Sequence, residues 1–242
     1  MMAARLSGRW ALVTGASAGI GHASALALAR EGANLILTAR REAELQALCA
    51  ACRALGVQAQ AMAGDLQDEA FVQALAAACA QVDIFVNNAG VLTYAPLVEL
   101  TPEQVHAMFS VNVLASIRIS QLVGAAMAAR GHGHIVVMTS LSARNINRLS
   151  AVYGATKHAM SGIAKGLRIE LKGQGIKVTE IAPGMVDTAI RDGNDHPEAL
   201  AAVASRTYAP LTPEDVADSV VYAVCTPNNC CPDLIELRPT RA

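Results

Sequence analysis

Short apolar runs alternate with longer amphipathic ones along the whole chain. The apolar runs fall at Trp10–Thr14, Asn34–Thr38, Val57–Ala61, Val82–Val86, His134–Thr139, Lys177–Ile181 and Leu234–Leu237. Most lack apolar–polar alternation and several are rich in Val and Ile, which is how strands covered on both faces of a parallel sheet read. The segments between them read as helices, at about Gly19–Glu31, Arg41–Leu55, Gln67–Ala80, Pro102–Ala129, Ala151–Lys172 and Pro213–Val224. Thr101-Pro102 and Thr212-Pro213 each place a capping hydroxyl before a proline at the first helical position. Gly131 and Gly173 suit helix ends. No linker, repeat or composition break interrupts the pattern. It predicts one domain over 1–242, an α/β, Rossmann-type doubly wound parallel sheet of about seven strands. The stretch at about 186–209 stands outside the alternation. It holds the turn cluster Asp192-Gly193-Asn194-Asp195, then His196-Pro197 and a short alanine-rich helix. Ligands of such sheets bind beyond the strand carboxyl ends, so this insertion is a candidate substrate lid.

The 242 residues are enough to bury a sizeable core, and 53% of them are apolar, above the usual share. The surplus is mostly alanine, which suits helices that pack closely or meet between subunits. The longest apolar stretch, Val111–Ala129, is interrupted by Asn112, Arg118 and Gln121, which argues against a membrane span. With 19 basic and 20 acidic residues and no basic run, nothing points to nucleic acid. Met1–Gly8 lacks the basic-then-apolar layout of a secretory leader, so a cytoplasmic protein is expected. Its six cysteines are then reduced thiols. Cys49-x-x-Cys52 and Cys230-Cys231 read as small hydrophobes rather than zinc ligands, since zinc needs four well-placed donors. His132 and His134, either side of Gly133, read as turn residues. No metal is expected.

Three places carry candidate chemistry. Gly15-Ala16-Ser17-Ala18-Gly19-Ile20-Gly21 joins the first strand to the first helix. Glycines there permit a tight turn and let a pyrophosphate approach free N–H groups at the helix start. The second strand ends Thr38-Ala39-Arg40-Arg41, where an acid would accept the ribose hydroxyls of NAD. No acid is present, and an arginine suits a 2′-phosphate instead. Tyr153 and Lys157 lie four apart on a predicted helix, hence on one face. A neighbouring ammonium favours the phenolate, so Lys157 is expected to lower the pKa of Tyr153 and fit it for proton transfer.

On these residues the chain resembles the classical short-chain dehydrogenase/reductase family over nearly its whole length. Thr14 to Gly21 matches the family's T-G-x-x-x-G-x-G, and Asn87-Asn88-Ala89-Gly90 its N-N-A-G. Asn112 stands in Val111-Asn112-Val113, Ser140 thirteen residues before Tyr153, and Pro183-Gly184 with Val186 and Thr188 matches P-G-x-V-x-T. The ending Ile235–Thr240 and the run Leu211–Ala217 are similar to an NADP-dependent subgroup that includes 3-hydroxy acid (serine-type) and clavulanate-type dehydrogenases. The resemblance implies an NADP(H)-dependent oxidoreductase that interconverts a carbonyl compound and its alcohol. Tyr153 would be the general acid/base, with Lys157 tuning it and holding the nicotinamide ribose. Ser140 would orient the substrate oxygen, and Asn112 would hold a water in a proton relay. Cofactor contacts would come from Gly15, Ser17, Ala18, Gly19, Ile20, Gly21, Arg40, Arg41, Asp65, Leu66, Asn88, Ala89, Gly90, Tyr153, Lys157, Pro183, Gly184, Val186 and Thr188. Ala18 stands where some NADP-using members carry a basic residue, which leaves the 2′-phosphate to Arg40 with Ser17 and Arg41. The substrate pocket would be lined by Tyr94, Ser142, Asn145, Asn147, Met185 and the insertion. Arg144 and Arg148 are either carboxylate partners or solvated loop charges. A homo-oligomer, tetramer or dimer, is implied. The other readings on this fold are a cofactor-binding sensor without catalysis, and a lyase or epimerase.

Overall fold

A computed structural model describes residues 4–241. Seven parallel strands form one sheet: β1 (Trp10–Thr14), β2 (Asn34–Ala39), β3 (Ala59–Ala63), β4 (Ile84–Asn87), β5 (Gly133–Met138), β6 (Ile176–Pro183) and β7 (Leu234–Leu237). Their order is β3-β2-β1-β4-β5-β6-β7, so the winding reverses between β1 and β4. Helices cover both faces: α1 (Gly19–Arg30), α2 (Glu42–Ala54), α3 (Glu69–Ala78), α4 (Pro102–Phe109), α5 (Ser116–Arg130), α6 (Ala151–Leu171), α7 (Pro197–Ala204) and α8 (Pro213–Val224).

Strand period two explains how one sheet feeds two cores. Val13, Leu35, Leu37, Ile84, Val86 and Val136 point to the side of α1, α2 and α8. Their chain neighbours Leu12, Ile36, Phe85, Ile135 and Val137 point to the side of α3, α5 and α6. This is why the central runs read as continuously apolar. Each fully buried side chain of this kind contributes roughly 1.5–3 kcal/mol. Cys49 and Cys52 belong to the first cluster as buried packing groups. Pro102–Arg130 is long and apolar enough by composition to cross a membrane, yet half of its most apolar window is buried inside this fold.

The structure corrects the expected elements in five places. β3 and β4 each begin two residues later than their apolar runs; β3 lies at an edge where Gln60 is exposed and burial no longer marks the boundary, and Val82 is buried ahead of β4 without joining the sheet. The single helix expected over Pro102–Ala129 is broken by a π turn at Ser110–Ala115. The left-handed residue that ends the α6 region is Gly175 (φ 77°), not Gly173, which lies inside a 3₁₀ turn. His134 is not a turn residue: it is buried in β5, and its Nε2 meets Thr179 Oγ1 at 2.8 Å.

His134 also yields a pH prediction. Burial first, and then the charges of Lys177 and Arg9, push its pKa down from 6.5 to about 3. The folded chain therefore keeps the ring neutral while the unfolded chain protonates it below about 6.5, so stability falls as the pH drops from there toward 3. Lowering the pH from 7 to 5 should cost about 2 kcal/mol through this one residue. Urea titrations of wild type and His134→Asn at both pH values measure it; parallel losses in the two proteins would refute the assignment.

Candidate active site

The carboxyl ends of β1 and β4 are stitched together where the strand order reverses. Thr14 Oγ1 accepts from the backbone N–H of Asn88 and of Ala89, both at 3.0 Å. Asn88 Nδ2 donates to the Thr14 carbonyl at 3.0 Å. The turn into α1 then needs glycine: Gly15 and Gly19 have φ of 65° and 55°. A Cβ at Gly21 would lie 2.3 Å from the Gly15 oxygen. α3, α4 and α8 are each capped by a side chain, from Asp68, Thr101 and Thr212. α1, like α2, α5, α6 and α7, has no capping side chain, and it has no acid in its first turn. Its leading N–H groups are thus left for an anion.

A cavity of about 580 Å³ opens over this turn. Every residue expected at the cofactor lines it except Gly21, Tyr153, Lys157, Pro183, Gly184 and Val186. Gly21 packs behind the turn. Gly184 N donates to the Leu237 carbonyl at 2.8 Å and Val186 bridges to Leu211, so this segment anchors the β6 exit rather than forming the wall. At the far end Arg41 is occupied, donating to Ser17 Oγ (3.1 Å) and pairing with Glu44 (3.2 Å). Arg40 is exposed and forms no ion pair among the described residues. Asp65 lines the cavity and its Oδ1 accepts from Gln67 N (2.9 Å).

Tyr153, Lys157, Ser140 and Asn112 converge beside that cavity. Lys157 Nζ lies 5.7 Å from the Tyr153 ring centroid, donates to the Met138 carbonyl at 3.2 Å, and would stand 3.7 Å from a Cβ at Gly90, a wall residue. Burial lowers the Lys157 pKa to about 8. The Tyr153 phenol moves opposite to expectation. Burial, then the neighbouring Tyr94, pushes its pKa up, while the Ser140 hydroxyl and the Arg191 guanidinium act in the lowering direction. A ring removed from water disfavours the phenolate more than its surroundings here restore it. Ser140 is extended at the β5 exit, and its Oγ accepts from Ser142 N at 3.1 Å. Asn112 lies in the π turn, and its side chain makes three hydrogen bonds. Its Oδ1 accepts from Val91 N (2.8 Å), and its Nδ2 donates to Val91 O (2.9 Å) and Thr156 Oγ1 (3.1 Å). It clamps the loop after β4 to α6, with both amide hydrogens of its side chain used.

The mouth of the site differs from expectation. Tyr94 meets Tyr153 edge-on, with centroids 6.1 Å apart. The Arg191 guanidinium lies 5.9 Å from the Tyr94 centroid. Asn145 and Asn147 are exposed, Ser142 is buried against Ser140, and Met185 lines neither the main cavity nor the second one. That second cavity, about 370 Å³, lies between Tyr94, Glu99, Asn194 and His196. Arg144 is not a free cation: it pairs with Glu180 at 2.7 Å and Glu236 at 2.9 Å. Arg148 is an exposed partner of Glu198 at 2.6 Å. Sequence reasoning missed Arg191, Glu180 and Thr156. Glu180 and Thr156 owe their place to partners far away in sequence, and Arg191 meets Tyr94 only through the fold, although Val186 beside it in sequence holds its guanidinium.

The short chain dehydrogenase family profile matches residues 9–199. An uncharacterized oxidoreductase of Staphylococcus epidermidis is 32% identical over 98% of this chain and 99% of its own. Among solved structures, serine dehydrogenase in its closed form with NADP⁺ is 29% identical, with a TM-score of 0.87 over 96% of each chain. A metagenomic short-chain oxidoreductase in complex with NADP is 30% identical, with a TM-score of 0.83 over 98% of this chain and 99% of that one. A parallel sheet with a glycine turn at its reversal point is the architecture of a dinucleotide-binding α/β protein. Within that class, the chain belongs to the short-chain dehydrogenase family of oxidoreductases.

Proposed function

We propose that this chain is an NADP(H)-dependent oxidoreductase interconverting a small or medium carbonyl compound and its alcohol, with Tyr153 as general acid/base. The observation that carries the reading is the meeting of Tyr153, Lys157 and Ser140 behind Gly90, itself a wall of the glycine-cradled cavity. NADPH, when bound, supplies the hydride for the carbonyl carbon. The turn Gly15–Gly21 and the bare start of α1 would hold its pyrophosphate, Asp65 and Leu66 its adenine, Arg40 its 2′-phosphate, and Lys157 with Thr188 its nicotinamide end. Ser140 would hydrogen-bond the substrate oxygen, and Tyr153 would pass it a proton. A phenol held above its usual pKa stays protonated but is a weaker acid, so donation to the substrate in reduction would depend on the Lys157 ammonium lowering it again. In the reverse direction the Lys157 ammonium must favour the phenolate, which requires that it remain charged. Asn112 would hold a relay water through an oxygen, since both its amide hydrogens are committed to Val91 and Thr156. The 186–209 segment would act as the substrate lid. It is latched by Arg148–Glu198, His196–Glu99 (3.1 Å) and a bond from Tyr94 N to Asn194 Oδ1 (2.7 Å).

Cofactor preference tests the reading. A charge-assisted hydrogen bond from Arg40 to a phosphate is worth about 1.5–3 kcal/mol, or roughly 10- to 150-fold. Arg40→Ala should raise KM for NADPH by that factor and leave KM for NADH nearly unchanged, read from nicotinamide absorbance with a panel of ketones and aldehydes. Equal effects on both cofactors would remove the basis for NADP(H), and no turnover of any carbonyl would remove the reductase reading.

The same proposal places the protein in the cytoplasm, which its six free thiols suit, and makes it a homo-oligomer, tetramer or dimer. Leu114 and Ile169, 62% and 71% exposed on the long helical segments, support subunit contacts there. Sedimentation at micromolar concentration should then give a species heavier than the 25.1 kDa chain; that mass alone would contradict assembly.

A further inference from the structure

We propose that Arg191 is the substrate-selecting residue of this site and that it binds a carboxylate on the carbonyl compound, so that the preferred substrates are oxo acids. The inference rests on the reductase reading above. Four observations carry it. Arg191 lies in the insertion, and its guanidinium covers the Tyr94 ring, which in turn meets the Tyr153 ring. One guanidinium nitrogen, Nη1, donates to the Val186 carbonyl at 2.8 Å, which fixes the group in place. Its Nε is buried with no hydrogen-bond partner. No carboxylate pairs with it among the described residues, whereas Arg144 and Arg148, the arginines of the facing loop, are both neutralised. A half-buried guanidinium with an unpartnered donor calls for an acceptor, and a planar carboxylate is the one its fork matches. Arg40 is the unpaired arginine at one end of the main cavity; Arg191 stands between Ile190 and Asp192, two residues of its wall, and over Tyr94 at the other. The guanidinium also acts on the Tyr153 phenol, in the lowering direction.

The test uses the whole protein with saturating NADPH and three acid–ester pairs, in which the carbonyl stands at increasing distance from the carboxylate: pyruvate, acetoacetate and levulinate, each against its methyl ester. Wild type should favour at least one acid over its ester. Arg191→Ala should cut that acid-to-ester ratio of kcat/KM by about 10- to 150-fold, chiefly through KM, with Arg191→Lys intermediate. Malonate, which has no reducible carbonyl, should raise the Tm of NADPH-loaded wild type and not of Arg191→Ala. NADPH dissociation constants from fluorescence titration should match in the two proteins. The inference is overturned if no acid is preferred, if acid and ester suffer equally, or if NADPH affinity falls by the same factor. In that last case Arg191 is a cofactor contact. If none of the six compounds is reduced, the panel of ketones and aldehydes decides the reductase reading and malonate alone decides Arg191: a shift that the variant lacks upholds it, and no shift overturns it.

Discussion

Tyr153→Phe should lower turnover by about 10²- to 10⁴-fold while leaving NADPH affinity and Tm close to wild type. The substitution removes one hydroxyl from a ring that stays packed against Met108, Val152 and Tyr94. Lost packing is therefore small, and lost proton transfer is the whole effect. The phenol is held above its ordinary pKa by burial, so at neutral pH the group removed is the protonated one, the form that reduction needs. Steady-state assays with both proteins decide the matter. Turnover within a few-fold of wild type would assign proton delivery to another group, and a collapse in Tm would make the ring a structural element first.

The largest stability effect is expected at Arg144→Ala. The Glu180 side chain, 2% exposed, accepts from the Arg144 guanidinium, from Thr139 Oγ1 at 2.8 Å and from Ser161 Oγ at 3.0 Å. Removing the arginine leaves a buried carboxylate without its cation, a change that costs about 3–5 kcal/mol. Urea unfolding of the single variant measures it. The double variant Arg144→Ala with Glu180→Gln should recover much of the loss, because a neutral amide needs no counter-ion. A single-variant loss under about 1 kcal/mol would mean that the carboxylate already has other compensation. The network also adjoins the site: Thr139 precedes Ser140 in the chain, and Ser161 lies one helical turn beyond Lys157. Damage here should reach catalysis through geometry.

What was legible in the sequence was what local pattern controls. β7 and α8 fall where expected, and Thr101 and Thr212 cap their helices as their Thr-Pro starts announced. The glycine turn and its cavity were legible because φ and close approach leave few alternatives to glycine at Gly15 and Gly21. Pairing across the chain was not legible. Arg144 looked free because its carboxylates lie 36 and 92 residues away. His134 looked like a turn residue because glycine precedes it, while its burial is decided by neighbouring β6. The sign of the Tyr153 shift was missed for a similar reason: spacing places Lys157 near the ring, but burial depends on the entire fold.

The π turn at Ser110–Ala115 makes this helical segment intolerant of changes in length. An α-helix turns about 100° and rises about 1.5 Å per residue. Deleting Val111 would let the hydrogen-bond ladder close into a plain α-helix. It would also swing Pro102–Phe109 by about that angle relative to Ser116–Arg130. Met108, now 1% exposed, would leave the core, while Ile119, Val123 and Met127 would keep their seats on the sheet. A deletion scan should therefore find single-residue losses here far more damaging than substitutions at the same positions. Among related chains, gaps should fall outside this segment even where its residues vary freely.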